Sequence, residues 1–125
     1  MSQSPIQISP PRIDLSLTYY ISGPMKGYED LNFPAFEAAT RQLQDSGIKV
    51  ISPHMLNPDK DNPDDLDYLR FDFEMMCKHC QGIILLKGWP KSRGARAELE
   101  IALTLEWPVY YYDAWVLTNM NGSPE

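Results

Sequence analysis

Short apolar runs alternate with helical apolar stripes along most of the chain. The runs predict four strands, at residues 17–22, 49–52, 82–87 and 108–112. Apolar side chains recur every three or four positions between them, in three groups: Phe36, Ala39 and Leu43; Leu66, Leu69, Phe73, Met76 and Cys80; Ala95, Leu99, Ala102 and Leu103. Strands alternating with helices predict βαβ units, hence an α/β fold with a four- or five-stranded parallel sheet between helices. Ligands bind such sheets beyond the carboxyl ends of the strands.

Turn and cap residues predict the element boundaries. Asn32 is a candidate cap of the first helix, Pro34 lies in its first turn, and Gly47 ends it. Asn62 is a candidate cap of the second helix. The polar, proline-rich residues 56–65 predict an exposed loop that could cover a site. Residues 1–16 are either a tail or an added edge strand, and residues 113–125 form a tail.

Composition limits the protein class. With 125 residues, 43% of them hydrophobic and 22% charged, we expect one globular domain spanning residues 17–125. The net charge of −6 argues against polymeric nucleic acid as a partner. Without a run of about eighteen apolar residues or a signal-peptide core, we expect a cytoplasmic protein with no membrane partner.

The Cys77-Lys78-His79-Cys80 segment has the spacing of a redox motif or of half a zinc site. A structural zinc site needs a second pair of ligands, and His54 is the only other histidine. We therefore interpret the cysteines as two thiols at a helix end, and expect no metal and no cofactor.

Glu98 is the most informative residue of the third helical pattern. It follows a glycine-containing loop at residues 88–94 and falls on the apolar stripe, whereas Arg96 and Glu100 project outward and are expected to pair. An inward carboxylate is either satisfied by its neighbours or is a nucleophile kept ionised by the helix dipole. The helix alone does not decide between these interpretations.

Three other strand-end or helix positions strengthen the chemical interpretation. Tyr20, Asp72 and Ser92 are expected to lie with Glu98 at the carboxyl edge of the sheet. Cleavage of an N-glycosidic bond requires a carboxylate below the anomeric carbon and a second acid for the departing base. Glu98 suits the first role and Asp72 the second, while the Tyr20 hydroxyl could orient the nucleophile; Tyr20 could equally be a packed core aromatic.

At these residues the sequence resembles the nucleoside 2-deoxyribosyltransferase family, over roughly residues 18–112. The shared motifs are Y-I-S-G-P at 20–24, an aspartate at 72 before the central apolar strand, and G-x-x-x-E at 94–98. The chain is especially similar to an uncharacterised, often phage-encoded branch with Y-I-S-G-P-M, N-F-P-A-F at 32–36 and G-W-x-K-S-R-G-A at 88–95.

The resemblance implies a flavodoxin-like, Rossmann-like three-layer sandwich and a double displacement. Glu98 would carry a covalent deoxyribosyl intermediate, which a second base then takes up. It also implies a homo-oligomer whose sites are completed by residues near a neighbour's C-terminus, for which residues 119–121 are candidates.

Ser92 departs from the transferase pattern, which has an aspartate there to hold the sugar 5′-hydroxyl. Serine at this position resembles the related nucleoside 5′-monophosphate N-glycosidases. Ser92, Arg93 and the amides of Gly94 and Ala95 would form a phosphate cradle at a helix start. This favours a nucleotide ligand, with water replacing the acceptor base.

Other candidate ligand contacts have ordinary alternatives. Ser22, Gly23 and Pro24 either admit a ligand to the backbone or form only a turn, and Met25 and Trp89 either stack on a base or close the core edge. Three functions follow: a deoxyribosyl transferase, a nucleotide N-glycosidase, or a non-catalytic nucleotide-binding module.

Overall fold

The computed structural model describes residues 12–56 and 65–120, without the side chains of residues 65–67 and 119–120. The predicted cap Asn62 and most of the predicted loop at 56–65 lie outside these residues. Leu56 itself ends a short helix rather than starting the loop.

The four strands are β1 (Thr18–Ser22), β2 (Lys49–Ile51), β3 (Gly82–Leu85) and β4 (Val109–Tyr111). They form one parallel sheet in the order β2-β1-β3-β4. The prediction of a parallel sheet is confirmed, and the described residues supply four of the four or five strands expected, one in each predicted apolar run.

The helices are α1 (Phe33–Asp45), α2 (Pro53–Leu56), α3 (Asp65–His79), α4 (Arg93–Thr104) and α5 (Tyr112–Met120). Short 3-10 turns at Glu29–Asn32 and Trp89–Lys91 precede α1 and α4. One sheet face packs on α1 and α5 through a core that includes Tyr19, Phe36 and Trp115. The other face packs on α3 and α4. This three-layer arrangement is a flavodoxin-like α/β fold.

The predicted C-terminal tail is wrong over residues 113–120, which belong to α5. Trp115 is buried in the core and stacks on Tyr112, with ring centroids 6.0 Å apart. The apolar pattern of this helix is too short to show a period in the sequence, so core contacts rather than amphipathic spacing hold it in place.

One other local prediction needs correction, and over residues 12–16 the structure decides between two alternatives that the sequence left open. Leu103 is 40% exposed, because the buried stripe of α4 is narrower than the spacing indicated. Residues 12–16 contain no strand; Asp14 accepts hydrogen bonds from the backbone and hydroxyl of Ser16, which makes this stretch a turn.

Asn32 precedes α1 but does not cap it with its side chain. Asp30, Leu31 and Asn32 all have left-handed backbone angles, with φ of 54°, 54° and 62°. The Asn32 side chain instead donates to the carbonyl oxygen of Pro24, at 2.9 Å. Left-handed backbone costs about 1–2 kcal/mol per residue, so this turn is held by its contacts. Pro34 lies in the first turn and Gly47 follows the helix with φ of 85°, both as predicted.

Gly82 provides a test of the packing between β1 and β3. A Cβ atom at this position would lie 2.4 Å from a ring carbon of Tyr19. We expect Gly82→Ala to lower the free energy of unfolding by about 1–3 kcal/mol, because the buried Tyr19 ring must shift. Urea denaturation measures the effect.

Thr104→Ala, at the exposed end of α4, is the control and should change stability by less than about 0.5 kcal/mol. Equal losses in the two variants would contradict the packing of Tyr19 on Gly82.

Candidate active site

A cavity of about 560 Å³ opens at the carboxyl edge of the sheet. Its walls come from the loop after β1, from α3, and from the start of α4. Most of the predicted site residues line it: Gly23, Pro24, Met25, Asp72, Ser92, Arg93, Gly94, Ala95 and Glu98. Its size and position are typical of a small-molecule site in a parallel sheet.

Glu98 reaches the cavity from within the protein. Its side chain is buried, with 5% of the residue exposed, and the Ser22 hydroxyl donates to Oε1 at 2.6 Å. Ser22 ends β1 and is itself fully buried. Glu98 therefore faces the sheet as its helical position predicted, and Ser22 fixes one of its oxygens.

Asp72 and Tyr20 lie close to the same carboxyl group. Asp72 is 2% exposed, and its negative charge acts on both Glu98 and Tyr20. The Tyr20 hydroxyl is fully buried and has no hydrogen bond of normal geometry among the described residues. Burial first, and then the charges of Glu98 and Asp72, raise the Tyr20 pKa well above its ordinary value. A buried hydroxyl without a partner beside a carboxyl is poised to donate to it.

Burial raises the pKa of Glu98 from 4.5 to about 8, against the opposing effect of the Ser22 hydrogen bond, and the charge of Asp72 adds to the rise. Burial therefore opposes the ionised state that the second interpretation of Glu98 requires. Glu98 is the sixth residue of α4, whereas the dipole acts mainly within the first turn. Loss of water is the larger effect, and it favours the protonated form of the carboxyl group.

Ser92 caps α4, and its Oγ accepts a hydrogen bond from the Ala95 amide at 3.1 Å. The predicted cradle is thus modified, since the Ala95 amide is already used. The Ser92 hydroxyl proton can still be donated into the cavity, which Arg93 also lines. Arg96 donates to the Pro90 carbonyl oxygen at 3.0 Å instead of pairing with Glu100.

Three predicted site residues do not line the cavity. Ser22 and Tyr20 are fully buried next to Glu98, so they do not touch a ligand in the cavity directly. Trp89 packs against the core on the α4 side and stacks on Tyr111, with ring centroids 6.4 Å apart. The sequence left two interpretations of Trp89, stacking on a base or closing the core edge, and the structure shows the second.

Sequence reasoning missed seven cavity residues: Lys26, Tyr28, Leu31, Pro53, Tyr68, Leu69 and Lys91. Several had a usable signal. Tyr68 precedes Asp72 by one helical turn, and Lys26 and Lys91 directly adjoin the predicted residues Met25 and Ser92.

The remaining candidates lie elsewhere. Cys77 is exposed and Cys80 buried, both as free thiols. His54 contacts the Ser52 hydroxyl through Nδ1 at 2.9 Å and does not line the cavity. Within residues 12–56 and 65–120, no cluster of histidine, cysteine and acidic side chains has the arrangement of a metal site. In the same ranges, every helix is too short or too polar to cross a lipid bilayer.

The fold and the site together define an α/β protein with a buried carboxyl cluster at the carboxyl edge of its sheet. Residues 17–111 match the family described as a domain of unknown function, DUF4406. The chain belongs to this family. No curated protein matches it significantly.

The Glu98 proton makes the stability of the protein depend on pH. Because the folded pKa of about 8 exceeds the ordinary 4.5, the folded state binds the proton more tightly. This stabilisation is complete below about pH 4.5 and is lost as the pH rises through 8. Relative to Glu98→Gln, we expect the wild type to lose roughly 4 kcal/mol between pH 4 and pH 9.

Denaturant unfolding across this pH range measures the loss. Glu100→Gln removes an exposed carboxylate from the same helix and should leave the wild-type pH profile intact. A wild-type profile parallel to that of Glu98→Gln would show that Glu98 titrates normally.

Proposed function

We propose that the protein acts on the N-glycosidic bond of (deoxy)nucleosides or nucleotides, with Glu98 as the nucleophile. The observation that carries this proposal is the buried Glu98 carboxyl group, held by Ser22 at 2.6 Å and facing Asp72 in a cavity of ligand size. The resemblance of the Y-I-S-G-P and G-x-x-x-E motifs to nucleoside 2-deoxyribosyltransferases supports the same chemistry.

Two facing carboxyl groups can share one proton and divide the roles of acid and nucleophile. In the reactive form, the proton is on Asp72 and Glu98 is ionised. A Glu98 oxygen forms a bond to the anomeric carbon while the bond from that carbon to the base nitrogen breaks. The electron pair of the broken bond goes to the base, which takes the Asp72 proton and leaves neutral.

The second step regenerates both groups. A second base or a water molecule attacks the anomeric carbon and gives its proton to Asp72. The bond from this carbon to Glu98 breaks, and its electron pair returns to the carboxylate. A base as acceptor makes the protein a transferase, and water makes it a hydrolase.

Tyr20 and Ser22 support the ionised state of Glu98. Ser22 already donates to one oxygen, and the unpartnered Tyr20 hydroxyl is near enough to donate when the carboxylate forms. Both groups are buried and neither lines the cavity, so we assign them as positioning residues.

The second candidate is a nucleoside 5′-monophosphate N-glycosidase, and the residues around Ser92 favour it. Ser92 keeps a hydroxyl proton to donate, and Arg93 makes no ion pair with a described residue. Lys26 and Lys91 line the same cavity, so a phosphate would meet cationic side chains at the start of a helix.

The resemblance further suggests a homo-oligomer with shared sites. The side chains of residues 119–121, which are the candidates for this role, lie outside the described part. A cytoplasmic location likewise stays a prediction from the sequence.

The functions are separated by incubating the protein with the deoxynucleosides and their 5′-monophosphates, with and without a second free base. Base exchange supports the transferase, and base release without an acceptor supports the hydrolase. Ligand-induced thermal stabilisation without turnover would instead indicate a non-catalytic binding module.

Glu98→Ala should lower turnover by roughly 10³-fold or more, because no other carboxylate replaces the nucleophile. Glu100→Ala is the matched control, since it removes an exposed carboxylate two positions away. Initial rates of base release or exchange measure both variants. Equal losses would refute the assignment of Glu98.

Ser92→Asp should weaken 5′-monophosphates about tenfold more than nucleosides, because a carboxylate repels the phosphate. Aspartate also caps helices, so α4 should be retained. Ser92→Asn is the control, because asparagine is a neutral helix cap of the same size as aspartate. Comparison of KM values for nucleoside and monophosphate gives the result, and an unchanged ratio would contradict phosphate binding at Ser92.

A further inference from the structure

A second cavity of about 460 Å³ adjoins the first at the same edge of the sheet. Tyr28 and Lys91 line both cavities. The Tyr28 hydroxyl lies against Gly88, where an added Cβ would be 2.9 Å from its oxygen. Tyr28 therefore spans from the loop after β1 to the loop after β3 and forms the partition between the two cavities.

The position of this partition has a topological cause. In the order β2-β1-β3-β4, the chain leaves β1 towards β2 on one side and later returns to β3 on the other. The loops after β1 and β3 diverge here to opposite faces of the sheet, and dinucleotides bind across such crevices in doubly wound folds. The first cavity lies on the α3 and α4 side, and the second reaches α1 and α5 through Ala35 and Tyr112.

Unpaired cations line the route between the cavities. Lys87 lines the second, Arg93 the first, and Lys91 both. None of these three side chains makes an ion pair within the described residues. In a chain of net charge −6, three unpaired cations around one partition indicate a ligand with negative charge at that point.

The second cavity also carries different chemistry from the first. Tyr28 and Tyr112 offer aromatic rings, on which bases stack. Asp113 offers an exposed carboxylate, the group that commonly accepts hydrogen bonds from ribose hydroxyls. These groups suit a second nucleoside rather than a longer phosphate chain, which Asp113 would repel.

We infer that the substrate is a dinucleotide: a nucleoside in the first cavity, a diphosphate bridge over Lys91, and a second nucleoside-type group in the second cavity. This inference rests on the proposed function for the first cavity and names the class of nucleotide that it takes.

Calorimetric titration of Glu98→Gln, which keeps the shape of the site without its nucleophile, tests the inference. The probes are the four deoxynucleoside 5′-monophosphates and the four symmetric P1,P2-dinucleoside diphosphates. Both classes carry about two negative charges near neutral pH, so a difference in affinity reports the second nucleoside and not the charge. At least one dinucleotide should bind tenfold or more tightly than its monophosphate.

Two further substitutions test whether the second nucleoside-type group occupies the second cavity. Ala35→Trp fills the second cavity and Lys87→Glu reverses one of its charges, so each should reduce the affinity ratio of dinucleotide to monophosphate to near one. Ala38→Trp, an exposed alanine on the same helix outside the cavity lining, should keep the ratio. If circular dichroism shows that Ala35→Trp is unfolded, the affinity ratio of Lys87→Glu alone tests the inference.

A dinucleotide affinity no greater than that of the monophosphate for all four bases would overturn the inference. A preference that survives both substitutions would also overturn it. Turnover by the wild type is measured separately. Base release from monophosphates without a preference for dinucleotides would refute only this inference. Preferential dinucleotide binding without base release would refute only the proposed chemistry.

Discussion

The hydrogen bond from Ser22 to Glu98 joins the end of β1 to α4 on a sheet face from which water is excluded. A buried carboxyl group is costly unless it is hydrogen-bonded or protonated, and here the Ser22 contact and the raised pKa together reduce that cost. The contact also fixes where α4 begins. With Glu98 held against β1, the capped start of the helix lies at the carboxyl edge, and Ser92 and Arg93 reach the cavity.

The same burial determines the proposed chemistry. Burial favours the protonated form of Glu98, so in the proposed reaction its proton must first move, and Asp72 is the neighbouring carboxyl group that can share it. The buried Tyr20 hydroxyl beside Glu98 is the donor that we propose stabilises its ionised form. Backbone strain lies nearby, because Leu31, with its left-handed conformation, lines the cavity.

Sequence periodicity predicted the main elements because each buries one regular face. Phe36, Ala39 and Leu43 are buried along α1 as expected. The errors fall where contacts between distant residues override local preference. Asn32 bonds to Pro24 instead of capping α1. Residues 113–120 belong to α5 instead of a tail because Trp115 is buried in the core. Trp89 packs on Tyr111 instead of facing the cavity.

By itself the sequence determined the alternation of strands and helices. It also determined that Glu98 and Asp72 lie on or beside the buried faces of their helices, because helical spacing fixes the face on which a side chain lies. Only the tertiary structure decided that β1 and β3 are neighbours and that Ser22 lies beneath Glu98, a contact across 76 positions. It also decided the burial that raises the pKa of Glu98, and the second cavity. These depend on which surfaces meet and exclude water, and no local pattern encodes the neighbours that folding brings from a distant part of the chain.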